Sequence, residues 1–229
     1  VDLGTWARLD YDIVATNGLD DDFSGTRGGG FRDARNSFRA DNNDSKSVIG
    51  RIGLQPRLGI LDAAEFGFSF GFSQYDDNDD RCMDLFGFDW FLRKGPFELK
   101  GEYAVFDLER GPAEIASGIP GGAEGYYVEL AFHFFPESWR NTSRFFTDES
   151  TFTLVARYGT IDTDDSARGI DRMSRGDAFR DDLQRLAVGL NFRPIEKTVI
   201  RFEYQFFFED GGIADADNDR FVISFATYF

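Results

Sequence analysis

The chain has 229 residues and a formal net charge of -16, from 25 Lys and Arg against 41 Asp and Glu, which argues against a nucleic-acid partner. Phe is heavily used (27 residues, beside 25 Gly), and the single cysteine, Cys82, excludes an intrachain disulfide framework. No run of about eighteen apolar residues exists, so a helical membrane span is excluded, whereas the polar mean hydropathy of -0.38 is compatible with strands that are apolar on one side only.

At the start of the chain, Leu3, Thr5, Ala7, Leu9, Tyr11, Ile13 and Ala15 alternate with Trp6, Arg8, Asp10, Asp12 and Val14. This period of two predicts a strand, closed by the turn signal Asn17-Gly18. A polar stretch to about Ser47, with Asp20-Asp21-Asp22 and Gly28-Gly29-Gly30, reads as a loop. Val48, Gly50, Ile52 and Leu54 then alternate with Ile49, Arg51, Gly53 and Gln55 up to Pro56. The third strand is the clearest, with Phe66, Phe68, Phe70 and Phe72 on one face and Glu65, Gly67, Ser69, Gly71 and Ser73 on the other. After Asp76–Asp80, Phe86, Phe88, Trp90 and Leu92 oppose Gly87, Asp89 and Phe91, and Arg93-Lys94-Gly95-Pro96 makes a tight turn.

The fifth strand sets Phe97, Leu99, Gly101, Tyr103 and Val105 against Glu98, Lys100, Glu102 and Ala104. Beyond a Gly/Pro-rich loop, Tyr126, Val128, Leu130, Phe132 and Phe134 oppose Tyr127, Glu129, Ala131 and His133. A longer link, Pro136 to Ser150, leads to Phe152, Leu154, Ala156 and Tyr158 against Thr153, Val155, Arg157 and Gly159. An acidic loop over roughly 162–182 precedes Leu186, Val188, Leu190 and Phe192, which oppose Arg185, Ala187, Gly189 and Asn191. Pro194 to Lys197 turns the chain into Ile200, Phe202, Tyr204, Phe206 and Phe208, set against Arg201, Glu203, Gln205 and Phe207. The last strand, Arg220 to Phe229, carries Phe221, Ile223 and Phe225 on its apolar face.

About ten strands of roughly nine to eleven residues, the length a tilted membrane strand needs, predict an all-β fold. The expected architecture is an antiparallel transmembrane β-barrel, one domain over 1–229, with short periplasmic turns and long acidic external loops. A soluble sandwich shares the alternation but accounts neither for Phe on one face nor for the long-short rhythm of the links. Five loops (17–47, 75–81, 107–124, 162–182 and 209–219) carry a net -15, leaving -1 for everything else. The charges within strands fall on the inward faces: Arg8, Asp10, Asp12, Arg51, Asp89, Glu98, Lys100, Glu102, Glu129, Arg157, Arg185, Arg201 and Glu203. On a lipid face each Arg or Lys near the midplane would cost about 2–4 kcal/mol, so these residues are expected to line the interior, in contact with water or one another.

Several blocks resemble bacterial outer-membrane porins, most closely those related to phosphate-selective porins. They are Tyr11 to Gly18, Asp41 to Lys46 leading into Gly50-Arg51-Ile52-Gly53, Gly95 to Tyr103, Gly125 to Glu129, Gly189 to Pro194, and the terminal Phe229. Each block is short; their order over nearly the whole chain makes the resemblance. It implies a passive pore of about sixteen strands in the bacterial outer membrane, often a homotrimer, set in lipid and lipopolysaccharide. It also implies that Phe229 is the signal read by the barrel-assembly machinery, although Thr227 stands where such porins have a bulky residue. Starting at Val1-Asp2-Leu3 without a signal peptide, the chain reads as a mature product or a fragment, and its ten strands read as the C-terminal portion of a larger barrel or as a smaller relative. Phosphate selectivity does not carry over, because the only lysines are Lys46, Lys94, Lys100 and Lys197 and the acidic mouth would repel a dianion.

Asp76–Asp80 and Asp215–Asp219 space oxygens like calcium ligands, but neither has the glycine or the later glutamate of an EF-hand, so both read as solvated loop acids. Asn141-Thr142-Ser143 fits a glycosylation sequon without meaning in a periplasmic turn, and Gly28-Gly29-Gly30 opens no helix that could cradle phosphate. His133 is the sole histidine and reads as an interior wall residue near the periplasmic end; an omptin-like protease would need it at the external rim. No catalytic residue, cofactor or metal is expected. The expected function is passive diffusion of small hydrophilic solutes past paired Arg and carboxylate side chains. The alternative is a scaffold barrel, plugged by its own charge pairs or housing a partner protein.

Overall fold

The computed structural model describes residues 1–18, 46–77, 80–112, 121–162, 182–210 and 218–228. They form ten strands: β1 (Ala7–Thr16), β2 (Ser47–Pro56), β3 (Ala63–Gln74), β4 (Cys82–Lys94), β5 (Phe97–Leu108), β6 (Gly122–Phe134), β7 (Thr151–Asp162), β8 (Asp182–Ile195), β9 (Thr198–Asp210) and β10 (Arg220–Thr227). Each pairs antiparallel with the next, in chain order, as a single sheet with β1 and β10 at its margins. The fold is all-β, and every strand expected from the alternation is present.

The differences lie at strand ends. β1 begins at Ala7 rather than Leu3, because Gly4 takes φ +70° and folds Val1 to Leu3 back onto β1. Leu3 N–H donates to Ala7 O (2.9 Å) and Leu9 N–H to Val1 O (2.8 Å), so the first residues pair with the lower half of the β1 edge. β4, β5, β6 and β8 run several residues beyond their apolar alternation. There the ladder continues through Asp84, Asp107 and Glu124, where polarity hides the period. Pro194 lies within β8 rather than ending it, at the register irregularity between Phe192 and Ile195 where a missing N–H is tolerated.

Four links lie at one end of the sheet: residues 57–62, Gly95-Pro96, 135–150 and Glu196-Lys197. Gly95, with φ +54°, supplies the left-handed first position that a two-residue hairpin requires. The 135–150 link is packed rather than loose. After a 3-10 turn at Glu137–Trp139, Trp139 and Phe146 sit 5.5 Å apart, and Phe146 reaches Phe192 at 5.8 Å. The other end carries the remaining five links; the loop readings at 28–30 and Asp215–Asp217, and the terminal Phe229, lie outside the described residues.

Register fixes the faces. Opposed residues point the same way, so Ile52, Phe68, Phe88 and Tyr103 share one side with Val128, Tyr158, Leu190 and Phe202. Neighbouring rings stack along it, as with Phe66–Phe88 (6.4 Å) and Phe152–Phe192 (4.8 Å). No described element covers this face. Phe68 is 45% exposed, Phe202 40% and Phe225 67%, and the buried apolar cluster is confined to Tyr75, Met83 and Leu108 near the long-link end. An apolar surface of this extent is foreign to a monomer in water.

Candidate functional site: the charged face of the sheet

All thirteen charged residues singled out in the sequence lie on the opposite face, in adjacent cross-strand rows. One row runs Asp10, Gly53, Gly67, Asp89, Glu102, Tyr127, Gly159, Arg185, Phe207 from β1 to β9. The next row, toward the short-link end, contains Lys100, Glu129, Arg157, Ala187, Gln205 and Arg220. Asp12 faces Arg51 in the row on the long-link side, while Glu98, Glu203 and Arg201 lie nearer the short links and Arg8 sits near the foot of β1.

Arg51 is the centre of the β1–β4 side. Its guanidinium lies 2.7 Å from Asp89, 3.2 Å from Glu65 and 3.7 Å from Asp10, so one cation gathers carboxylates from three neighbouring strands. Two glycines make the room. A Cβ at Gly67 would collide with the Asp89 carboxylate and the Arg51 guanidinium, and one at Gly53 would collide with the Asp10 carboxylate. Further along, Lys100 pairs with Glu129 at 3.0 Å, and Glu129 also faces Arg157 at 4.0 Å. Arg157 lies flat over the Tyr127 ring at 3.7 Å, and Arg220 covers Phe207 at 4.5 Å.

The expectation that these charges are mutually paired therefore holds for only part of the set. Among the described residues, Arg8, Asp12, Glu102, Arg185 and Arg201 form no ion pair, and Glu203 instead accepts from Gln205 Nε2. Two partners are missing from the thirteen, Glu65 and Arg220, although each stands in phase with the inward set and Glu65 is already read on the face opposite the phenylalanines. Gly53 and Gly67 left no such signal, because their role arises across strands.

The charge is also polarised across the sheet. On β1–β6 this face carries Asp10, Asp12, Glu65, Asp89, Glu98, Glu102 and Glu129 against Arg8, Arg51, Arg93 and Lys100. On β7–β10 it carries Arg157, Arg185, Arg193, Arg201 and Arg220, with Glu203 the sole acid among the described side chains.

His133 lies on this face near the short-link end, as expected. Its Nδ1 is hydrogen-bonded to Thr153 Oγ1 at 2.9 Å, which ties β6 to β7, while its Nε2 lies 3.2 Å from the Glu98 carboxylate without hydrogen-bond geometry. Asp76, within the calcium-like run, accepts from the N–H groups of Asp80 and Arg81 at 2.9 Å each, as a loop clasp. Among the described residues no group of three His, Cys, Asp or Glu is placed to hold a metal ion.

The charged face is concave. Leu85 of β4 and Phe207 of β9 line one hollow of about 400 Å³. Flat strands ~4.8 Å apart would set those two strands ~24 Å apart. The sheet must therefore curl toward its charged side. No protein-family model matches the chain, and no curated protein matches it in sequence.

Proposed function

We propose that the chain forms the wall of a water-filled channel in the bacterial outer membrane, through which small hydrophilic solutes diffuse passively. The observation that carries this reading is the division of the sheet: a bare face of Phe, Leu, Ile and Tyr on one side, and all the strand-borne charge of the inner rows on the other. Water is the wrong solvent for the first face and hydrocarbon for the second. A barrel wall between lipid and an aqueous lumen satisfies both.

The height of the apolar band supports this. From Phe97 to Val105 on β5 the apolar residues span eight steps, ~27 Å along the strand, or roughly 20 Å along the bilayer normal at a tilt of about 40°. Acidic residues begin directly beyond it, at Asp84, Asp107 and Glu124. Tyrosines mark that boundary and direct their hydroxyls outward: Tyr103 donates to Glu124 (2.6 Å) and Tyr158 to Gln184 (2.8 Å). The opposite boundary has Trp139, Phe146, Phe152 and Phe192. Aromatic girdles at both interfaces suit a membrane strand.

In hydrocarbon the margins of the sheet cannot stay unpaired, since each open backbone group costs several kcal/mol, so the wall closes. The lumen then sets the acid-rich β1–β6 side against the arginine-rich β7–β10 side, and solutes cross a transverse field that orients dipoles and sorts ions weakly. Lipid and lipopolysaccharide surround the wall. Insertion through the assembly machinery and assembly as a homotrimer follow the porin resemblance. The Thr153–His133–Glu98 chain is structural rather than proteolytic, because the Thr153 hydroxyl is buried and the trio sits at the short-link end.

Planar-bilayer recording tests the proposal. Stepwise conductance of the purified chain, in a form whose electrophoretic migration changes on heating, is the expected result. Inserted but electrically silent protein would overturn the channel and favour a plugged scaffold.

A further inference from the structure

The hollow on the charged face is more than a bend in the wall. Its floor is apolar, with Phe106, Ile161, Leu183 and Phe207 around it, and two guanidinium groups, Arg157 and Arg185, stand at its edge. At about 400 Å³ it falls within the ~300–1,000 Å³ of small-molecule pockets, which pair an apolar lining with a few placed polar groups. Gly125 and Gly159 lie in the floor, and at Gly125 the strands approach too closely for a side chain: a Cβ there would come within 2.9 Å of Thr160 O.

The two arginines differ in availability. Arg157 is held over Tyr127 and faces Glu129, whereas Arg185 has no carboxylate partner among the described residues. A guanidinium left unpaired beside an apolar floor matches a carboxylate attached to an apolar body, because the planar fork takes both carboxylate oxygens. Glu102, on the β5 side of the same hollow, sets the charge limit: it would repel a second negative charge on the ligand.

We propose that this hollow is a binding subsite for organic monoanions, a carboxylate on an aromatic or branched apolar body. Arg185 engages the carboxylate, and Phe106, Ile161, Leu183 and Phe207 receive the body. The inference rests on the channel reading to the extent that the charged face is wet and open to solutes. It names the class of solute that lingers there, as opposed to those that merely pass.

Saturation-transfer NMR on the full chain in detergent micelles tests binding without requiring a pore, with benzoate, acetate, benzyl alcohol and inorganic phosphate as probes. Benzoate should bind at least about tenfold more tightly than either acetate, which lacks the ring, or benzyl alcohol, which lacks the charge, and phosphate should be the weaker anion. Arg185→Gln should abolish the preference for benzoate over benzyl alcohol, with heat-dependent migration reporting that the variant is folded. The wild-type probe series decides the matter even if that variant fails to fold.

Equal binding of acetate and benzoate, equal binding of benzyl alcohol, or tighter binding of phosphate would each overturn the subsite. So would a folded Arg185→Gln protein that still prefers benzoate. In planar bilayers benzoate should also shorten open times more than acetate does. Benzoate binding by a silent protein would sink the channel and keep the subsite; conductance with no preference for benzoate would do the reverse.

Discussion

Arg51 on β2 and Arg185 on β8 face the same side of the sheet, yet one is gripped by three carboxylates and the other by none among the described residues. The difference extends to their surroundings. Around Arg51 stand the carboxylates of Asp10, Glu65 and Asp89, with Gly53 and Gly67 making space for them, so the cluster cross-links β1, β2, β3 and β4. Around Arg185 the neighbours are Gly159 and Phe207, with an apolar hollow alongside. Charge on the β1–β4 side is therefore used within the sheet, holding strands in register. On the β7–β10 side it remains available to whatever enters. Similar residues in the same alternating phase thus divide into structural and functional sets by their cross-strand neighbours.

The comparison breaks most easily at Arg51. Arg51→Gln leaves Asp10, Glu65 and Asp89 close together without a cation. Losing one partner of a buried ion pair is strongly destabilising, but this site is about one-third exposed, which reduces the cost to about 1–3 kcal/mol. The urea midpoint of the refolded protein in lipid vesicles should fall accordingly, and an unchanged midpoint would mean that the cluster holds nothing.

Gly67→Ala probes the same cluster by steric means alone. The added methyl must displace the Asp89 carboxylate or the Arg51 guanidinium, at about 1–2 kcal/mol. Gly87→Ala in the same sheet, where a Cβ would meet only ordinary contacts at 3.5 Å, is the matched control. Equal losses at the two positions would show that strand glycine as such is the issue, and that making room for ions is not.

Arg185→Gln should have the smallest effect on stability, within ~0.5 kcal/mol, since no ion pair is lost. On the channel reading, its effect belongs to permeation. Shortening of open times by benzoate in planar bilayers should be lost in Arg185→Gln and kept in Arg51→Gln. Similar losses in both variants would erase the distinction between a held and an available arginine.

Much of this was legible in the chain itself. Period-two alternation assigns a side to each strand residue whatever the register, because successive side chains point oppositely. That is why Phe66 to Phe72 could be set on one face, and Arg157, Arg185 and Glu203 on the other, without coordinates. Strand ends were less legible: Asp84, Asp107 and Glu124 continue the ladder after the apolar signal has stopped, and only a hydrogen-bonded neighbour reveals it. The fold-back of Val1 to Leu3 was misread as strand because Leu3 and Thr5 keep the alternation while Gly4 turns the backbone.

The amino-acid order by itself determined the sidedness of the sheet, since covalent geometry alternates side chains and the apolar ones were written in phase. Which cation meets which carboxylate was decided by tertiary structure alone. Register is set by hydrogen bonds between strands far apart in sequence, and it brought Asp89 to Arg51 from 38 positions away while leaving Arg185 beside a glycine and a phenylalanine.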